Sequence, residues 1–187
     1  AGPIGTNLEN MSKHHRNRNW APAPQPLPED AHVIDNHTHV ASVVPFSQAM
    51  SHEAMEKGQG EVPVYSVDEL LEQAQKVGVE GVIDCGCELP NLMTAIDMAR
   101  EHPGTVHAAI AIHPNEAVLH GHRGAPGPDG LPIKYKPWHD IPFDEAMAEV
   151  HRLATTYPNQ VVAIGETGMD LFRTGEGAKE LQREAFR

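Results

Sequence analysis

A chain of 187 residues with 40% hydrophobic and 21% charged residues has the balance of a globular protein with one core, not of a disordered tract or of two full domains. Its formal charge of −12, from 14 Lys and Arg against 26 Asp and Glu, argues against coating nucleic acid through a general basic field. An enzyme that holds a phosphodiester at bound divalent ions stays open, because such ions neutralise phosphate locally.

Residues 1 to about 31 are rich in Pro, Asn and basic side chains and show neither helical nor strand periodicity, so they are expected to form a flexible tail. No apolar run approaches the roughly 18 residues that span a bilayer, and no secretory apolar region opens the sequence, so no membrane partner is expected. Cys85 and Cys87 are separated by one residue, too close for an unstrained disulfide. A reducing, cytoplasmic location is the expectation.

From residue 32 the pattern alternates between short apolar runs and helical spacing. Residues 32–35 predict a buried strand. Ser66 opens a helix carrying Leu70, Leu71, Ala74 and Val77 on one face, which Gly78 stops. Strands are predicted at 79–85, 105–112 and 161–166, and helices at 90–101, at about 143–157 and from near Gly177 to the last residue. Two long loops are expected between them, at about 43–65 and about 120–141. Four βα units imply an α/β protein with a parallel sheet. The last helix has an apolar stripe at Leu181, Ala185 and Phe186 but no stop signal. The chain is therefore expected to be a fragment, or a protomer completed by another chain.

Three strand ends carry chemistry. In Asp35-Asn36-His37-Thr38-His39, residues two apart share a face roughly 6.6 Å apart along an extended strand. Both imidazoles can then converge on one ion, with Asp35 orienting a ring as an outer acceptor. The bland alternative is a pair of solvated loop histidines. Glu166 lies in Gly165-Glu166-Thr167-Gly168 after the fourth apolar run, where a carboxylate can bridge two ions; the alternative is a helix-capping glutamate. His113 follows the third run as a candidate for proton transfer or substrate contact, or as a structural histidine. Cys85-Gly86-Cys87 can bind zinc, but the pattern favours a packed pair.

Taken together and in order, these features resemble the TatD family of metal-dependent deoxyribonucleases. The matching pieces are VIDNHTHV at 33–40, GVIDCGCELPN at 81–91, AIAIHPNEA at 109–117, AIGETGMDLFR at 163–173 and QREAFR at 182–187. The resemblance implies a TIM-like (β/α) barrel, of which residues 32–187 hold about the first four βα units. It also implies one or two divalent ions (Mg, Mn or Zn) and hydrolysis of phosphodiester bonds in DNA by metal-activated water. His37, His39 and Glu166 take the places of family metal ligands. Glu166 and His113 become the catalytic candidates, and His113 and Arg173 the candidate substrate contacts. Two further histidines and an aspartate of the family fall on later strands, beyond this sequence. Where the family tends to follow His-Pro with histidine, this chain has Asn115.

Two other functions compete. An amidohydrolase shares the H-x-H strand, but those with paired metals commonly carry a carboxylated lysine on the fourth strand, where this chain has Glu166. The other is an inactive fragment or interaction module, since three ligands seldom hold a dinuclear pair.

Overall fold

The computed structural model describes residues 26–59, 63–121, 135–171 and 178–187. Strands β1 (Val33–Thr38), β2 (Val79–Gly86), β3 (Val106–Ile110) and β4 (Val161–Ile164) form one sheet in the order β1-β2-β3-β4, with every neighbouring pair parallel. Helices α1 (Val40–Glu56), α2 (Val67–Lys76), α3 (Leu89–Glu101), α4 (Pro114–Ala117), α5 (Phe143–Thr156) and α6 (Lys179–Phe186) lie between and after the strands. The sequential, all-parallel order is what successive βα units produce.

The main core lies where helices cover the sheet. Leu92, Ala95, Ile96 and Ala99 recur at helical spacing along α3 and are buried with Val82, Val106, Ala108 and Ile110 of the strands. Ala146, Val150 and Leu153 bring α5 to the same cluster. Ser66 caps α2 in a reciprocal box with Glu69, and Gly78, at φ 96°, ends that helix in the left-handed conformation its sequence position called for. The outer strands are less covered: Ile34 on β1 is 58% exposed, and Val162 and Ile164 on β4 are 52% and 55% exposed.

The stretch expected as a loop at 43–65 is instead largely helical, because α1 runs from Val40 to Glu56. Pro45, which removes one helical hydrogen bond, masked it. Its buried residues, Val40, Ser47 and Ala54, recur every seventh position and form a stripe too narrow to stand out in sequence. Buried Ser47 is satisfied within the helix, its hydroxyl donating to the Val43 carbonyl at 2.8 Å. Most of the second expected loop lies outside the described residues, but its end is a 3₁₀ turn at Pro137–Asp140. Residues 1–25 of the expected tail are also outside them; Leu27 is tied to the body, its N–H donating to the Val77 carbonyl at 3.0 Å.

Gly86 ends β2 where the first turn of α3 crosses it. A Cβ there would lie 2.7 Å from the Asn91 carbonyl oxygen and 3.0 Å from Leu92 Cα, both backbone atoms that cannot swing aside. Gly86→Ala is expected to cost about 1–3 kcal/mol of stability by overpacking, measured as a lower urea midpoint at unchanged slope.

Candidate metal centre

At the C-terminal end of β1 the chain does not continue as a regular strand. Three residues of β1 span from the Asp35↔Val82 pair to the Thr38↔Asp84 pair, against two of β2, which marks a bulge. The strict two-residue alternation expected from Asp35 to His39 is therefore broken. The Asp35 carboxylate accepts the backbone N–H of His37 at 3.1 Å, in place of the ring contact expected of it. Thr38 is pinned to β2, its hydroxyl donating to the Ile83 carbonyl at 2.9 Å. His39 then stands immediately before α1, and its Nδ1–H donates to the Cys85 carbonyl at 3.2 Å. That bond fixes the tautomer and leaves Nε2 with a free lone pair, the arrangement a metal-ligating imidazole needs. The rings of His37 and His39 meet edge to face, with centroids 5.3 Å apart.

Glu166 enters from the other side of the sheet. Its neighbour Gly165 donates to the Ile110 carbonyl at 3.3 Å, extending the β3–β4 pairing to the carboxylate's doorstep. Glu166 Oε1 lies 2.6 Å from His37 Nε2 and 3.5 Å from His39 Nε2, while Oε2 lies 3.1 Å from His113 Nε2. In a flat sheet, three interstrand spacings would hold β1 and β4 roughly 14 Å apart. The contact therefore requires the sheet to curl, with the ends of its first and fourth strands drawn together.

His113 caps α4, and its backbone N–H donates to the Cys87 carbonyl at 2.9 Å. Its Nδ1 accepts the Asn115 N–H at 3.1 Å, so in the neutral ring the proton sits on Nε2 and is donated to Glu166. His113 thus grips one carboxylate oxygen while the other faces the β1 histidines. Arg173 lies outside the described residues.

Two imidazoles and a carboxylate are donor types that suit a divalent ion. Ligand atoms about 2.1 Å from a common ion sit about 3.0 Å apart at right angles and about 3.4 Å apart at the tetrahedral angle. The separations of 2.6 and 3.5 Å bracket that range, so Glu166 Oε1 lies where it could share an ion with either ring.

A family model described as TatD related DNase matches residues 34–187. The chain belongs to the TatD-related DNase family. It is 33% identical over 125 residues to a Mycobacterium tuberculosis protein named uncharacterized metal-dependent hydrolase TatD. It is 27% identical over 121 residues to a Bacillus subtilis protein named uncharacterized metal-dependent hydrolase YabD. Each alignment covers 65% of this chain, and 38% and 37% of those relatives, so the chain spans well under two thirds of their length.

Several residues of this TatD-related site were given another role, or none, in the sequence analysis. Cys85 places its thiol beside His37 and Glu166, and the three ligand atoms all lie within 4.8 Å of one another. Cys87 takes a different part: burial above all pushes its thiol up to about 12, with the nearby Glu166 backbone opposing the rise. Asn115, where the family tends to histidine, donates to the Asp170 carboxylate at 2.7 Å. Fully buried Gln182 of α6 accepts the Asp170 N–H at 3.0 Å and donates to Asn115 Oδ1 at 3.3 Å. This amide clamp fixes the segment that follows Glu166. Buried His139 donates to the Glu116 carboxylate at 2.7 Å, which Trp138 also reaches at 3.3 Å, tying α4 and so His113 to the 3₁₀ turn.

Asp84 supports the same site from beneath. It is 1% exposed and accepts the backbone N–H of Ala41 at 3.4 Å, anchoring the start of α1 next to His39. Burial, the largest cause, raises its pKa above the ordinary carboxylate value, while bonds from the Ala41 and Val40 amides and the charge of His39 oppose the shift. A carboxyl raised on folding binds its proton more tightly in the native state, so stability falls as pH rises through the raised value. Asp84→Asn keeps an oxygen acceptor and does not titrate. Its stability relative to the parent is expected to be higher at about pH 7 than at about pH 4, read from urea midpoints of both proteins.

Proposed function

We propose that the chain forms the N-terminal part of a TIM-like barrel that hydrolyses phosphodiester bonds in DNA with the help of one or two divalent ions. The carrying observation is the division of Glu166, with one oxygen facing His37 and His39 and the other held by His113. The curl that brings β1 to β4 agrees with a barrel, and the family match agrees with the substrate class. In this reading residues 1–31 are a tail, residues 32–187 belong to the barrel domain, and the protein works in the cytoplasm. Among the described residues no helix is long and apolar enough to cross a membrane.

His37, His39 and Glu166 would hold the metal. A divalent ion bound there supplies Lewis acidity toward a phosphoryl oxygen and toward an attacking water. His113 keeps Glu166 oriented through Nε2–H and stands at the rim of the sheet, where it can pass a proton to or from substrate. Arg173 is assigned to a phosphate of the DNA. Remaining donors come from further chain or from a second polypeptide that closes the barrel. The exposed apolar residues of both outer strands, Ile34, Val162 and Ile164, favour such a completion, and equally a second reading in which this chain is chiefly an interaction module.

The test is cleavage of single-stranded DNA with Mg²⁺, Mn²⁺ or Zn²⁺. Metal-dependent cleavage is expected, stopped by chelator and lowered more than about 100-fold by His37→Ala or Glu166→Gln, since even outer-shell changes cost about 10–100-fold. His113→Ala is expected within that smaller range. Turnover confined to amides or lactones would make the protein an amidohydrolase, and tight metal binding without any turnover would favour the interaction module.

A further inference from the structure

Cys85 stands out among the side chains that the proposed reaction does not use. It lies one residue before the end of β2, partly buried, with its sulfur in a polar group formed by an imidazole and a carboxylate. A cysteine kept only for packing normally sits among apolar side chains. Residue 85 also contributes in a second way, because its carbonyl accepts from His39 Nδ1 and turns that ring's Nε2 away from the strand. Both cysteines are free of disulfide, and the group of close donor atoms contains the Cys85 sulfur and not that of Cys87.

We propose that the Cys85 sulfur is a protein ligand to the ion held by His37 and Glu166, so that the centre prefers a thiolate-binding ion such as Zn²⁺ or Co²⁺ over Mg²⁺. The proposal rests on the metal-centre reading of His37 and Glu166. In a tetrahedral zinc site, with Zn–S about 2.3 Å and Zn–N about 2.0–2.1 Å, sulfur and nitrogen lie roughly 3.6 Å apart. The three donor atoms here already lie within 4.8 Å of one another, two of them on the paired strands β1 and β2 and the third just past the end of β4. Closing the group needs a shift of about an ångström, within the rotamer freedom of a partly exposed imidazole. Coordination exchanges the S–H bond for a sulfur–metal bond, and the proton passes to solvent; no electrons are transferred. Thiolate is a soft ligand that suits Zn²⁺ and Co²⁺, whereas Mg²⁺ takes oxygen ligands, and this sets the expected preference.

Cobalt reports the ligand directly, because a thiolate on Co²⁺ adds a near-ultraviolet charge-transfer band to the visible bands of the bound ion. The parent chain titrated with Co²⁺ is expected to show both, and Cys87→Ser to keep both. Cys85→Ser is expected to keep the visible bands and lose the charge-transfer band. Its Zn²⁺ affinity should fall at least about 10-fold, with Mg²⁺ affinity unchanged. A second measurement needs no variant: Zn²⁺ should protect Cys85 of the parent chain from alkylation by iodoacetamide, mapped by mass spectrometry. Visible bands without charge transfer in the parent, a band that survives in Cys85→Ser, or alkylation of Cys85 indifferent to Zn²⁺ would overturn the role of Cys85 and leave the metal centre standing. A Co²⁺ spectrum that stays that of the aqueous ion and is unaltered by His37→Ala would overturn the metal centre itself.

Discussion

The contact between Glu166 and the two histidines at the end of β1 is the constraint on which the rest of the structure turns. It joins the first and the last strand of a four-stranded parallel sheet, with Oε1 at 2.6 and 3.5 Å from the two Nε2 atoms. Parallel strands all end at the same edge, so a βα protein can collect side chains from several strands at one place. Three groups meet here in that way, from β1, from the turn after β3 and from the turn after β4. Collecting is not enough, however, unless the sheet curls. The uniform hand of strand twist provides part of this curl, and the bulge near the end of β1 adds a local bend where the histidines leave the strand.

The carboxylate must also be kept from collapsing elsewhere, and the surrounding bonds divide that task. His113 holds Oε2, and Gln182 with Asn115 fixes Asp170 further along the same segment. Beneath β1, Asp84 anchors the first turn of α1, and with it His39, even though burial makes its own charge unfavourable. A buried acceptor that costs stability but fixes a ligand's position is the kind of compromise found beside binding sites. The outer strands show the other side of the compromise. Ile34, Val162 and Ile164 are large apolar residues left more than half exposed on parallel strands, which normally lie buried on both faces.

Much of this was legible in the sequence because it is local. Apolar runs of four to eight residues gave strands β1 to β4 within a few positions, and helical spacing with a capping serine gave α2. His37, His39, His113 and Glu166 were visible because each follows an apolar run, where a strand opens into its loop. What escaped depended on other information. Helix α1 was hidden by Pro45 and by a stripe of only three buried residues. The role expected of Asp35 was lost to one extra residue in β1, which no periodicity reveals. Asn115 and Gln182 are 67 residues apart in the chain, and Glu116 and His139 are 23 apart, so their pairing follows only from the packed fold. Cys85 looked like half of a packed pair until the curl of the sheet brought Glu166 to its side.

The position of the ion itself gives the most direct measurement. Crystals of the chain equilibrated with Mn²⁺ should show an anomalous difference peak about 2.0–2.3 Å from both Glu166 Oε1 and His37 Nε2, on the concave side of the sheet. A peak at that point would establish the junction of β1 with β4 as the metal centre. Anomalous density only at surface carboxylates, or none at saturating Mn²⁺ with Glu166 still bonded to His37, would contradict it.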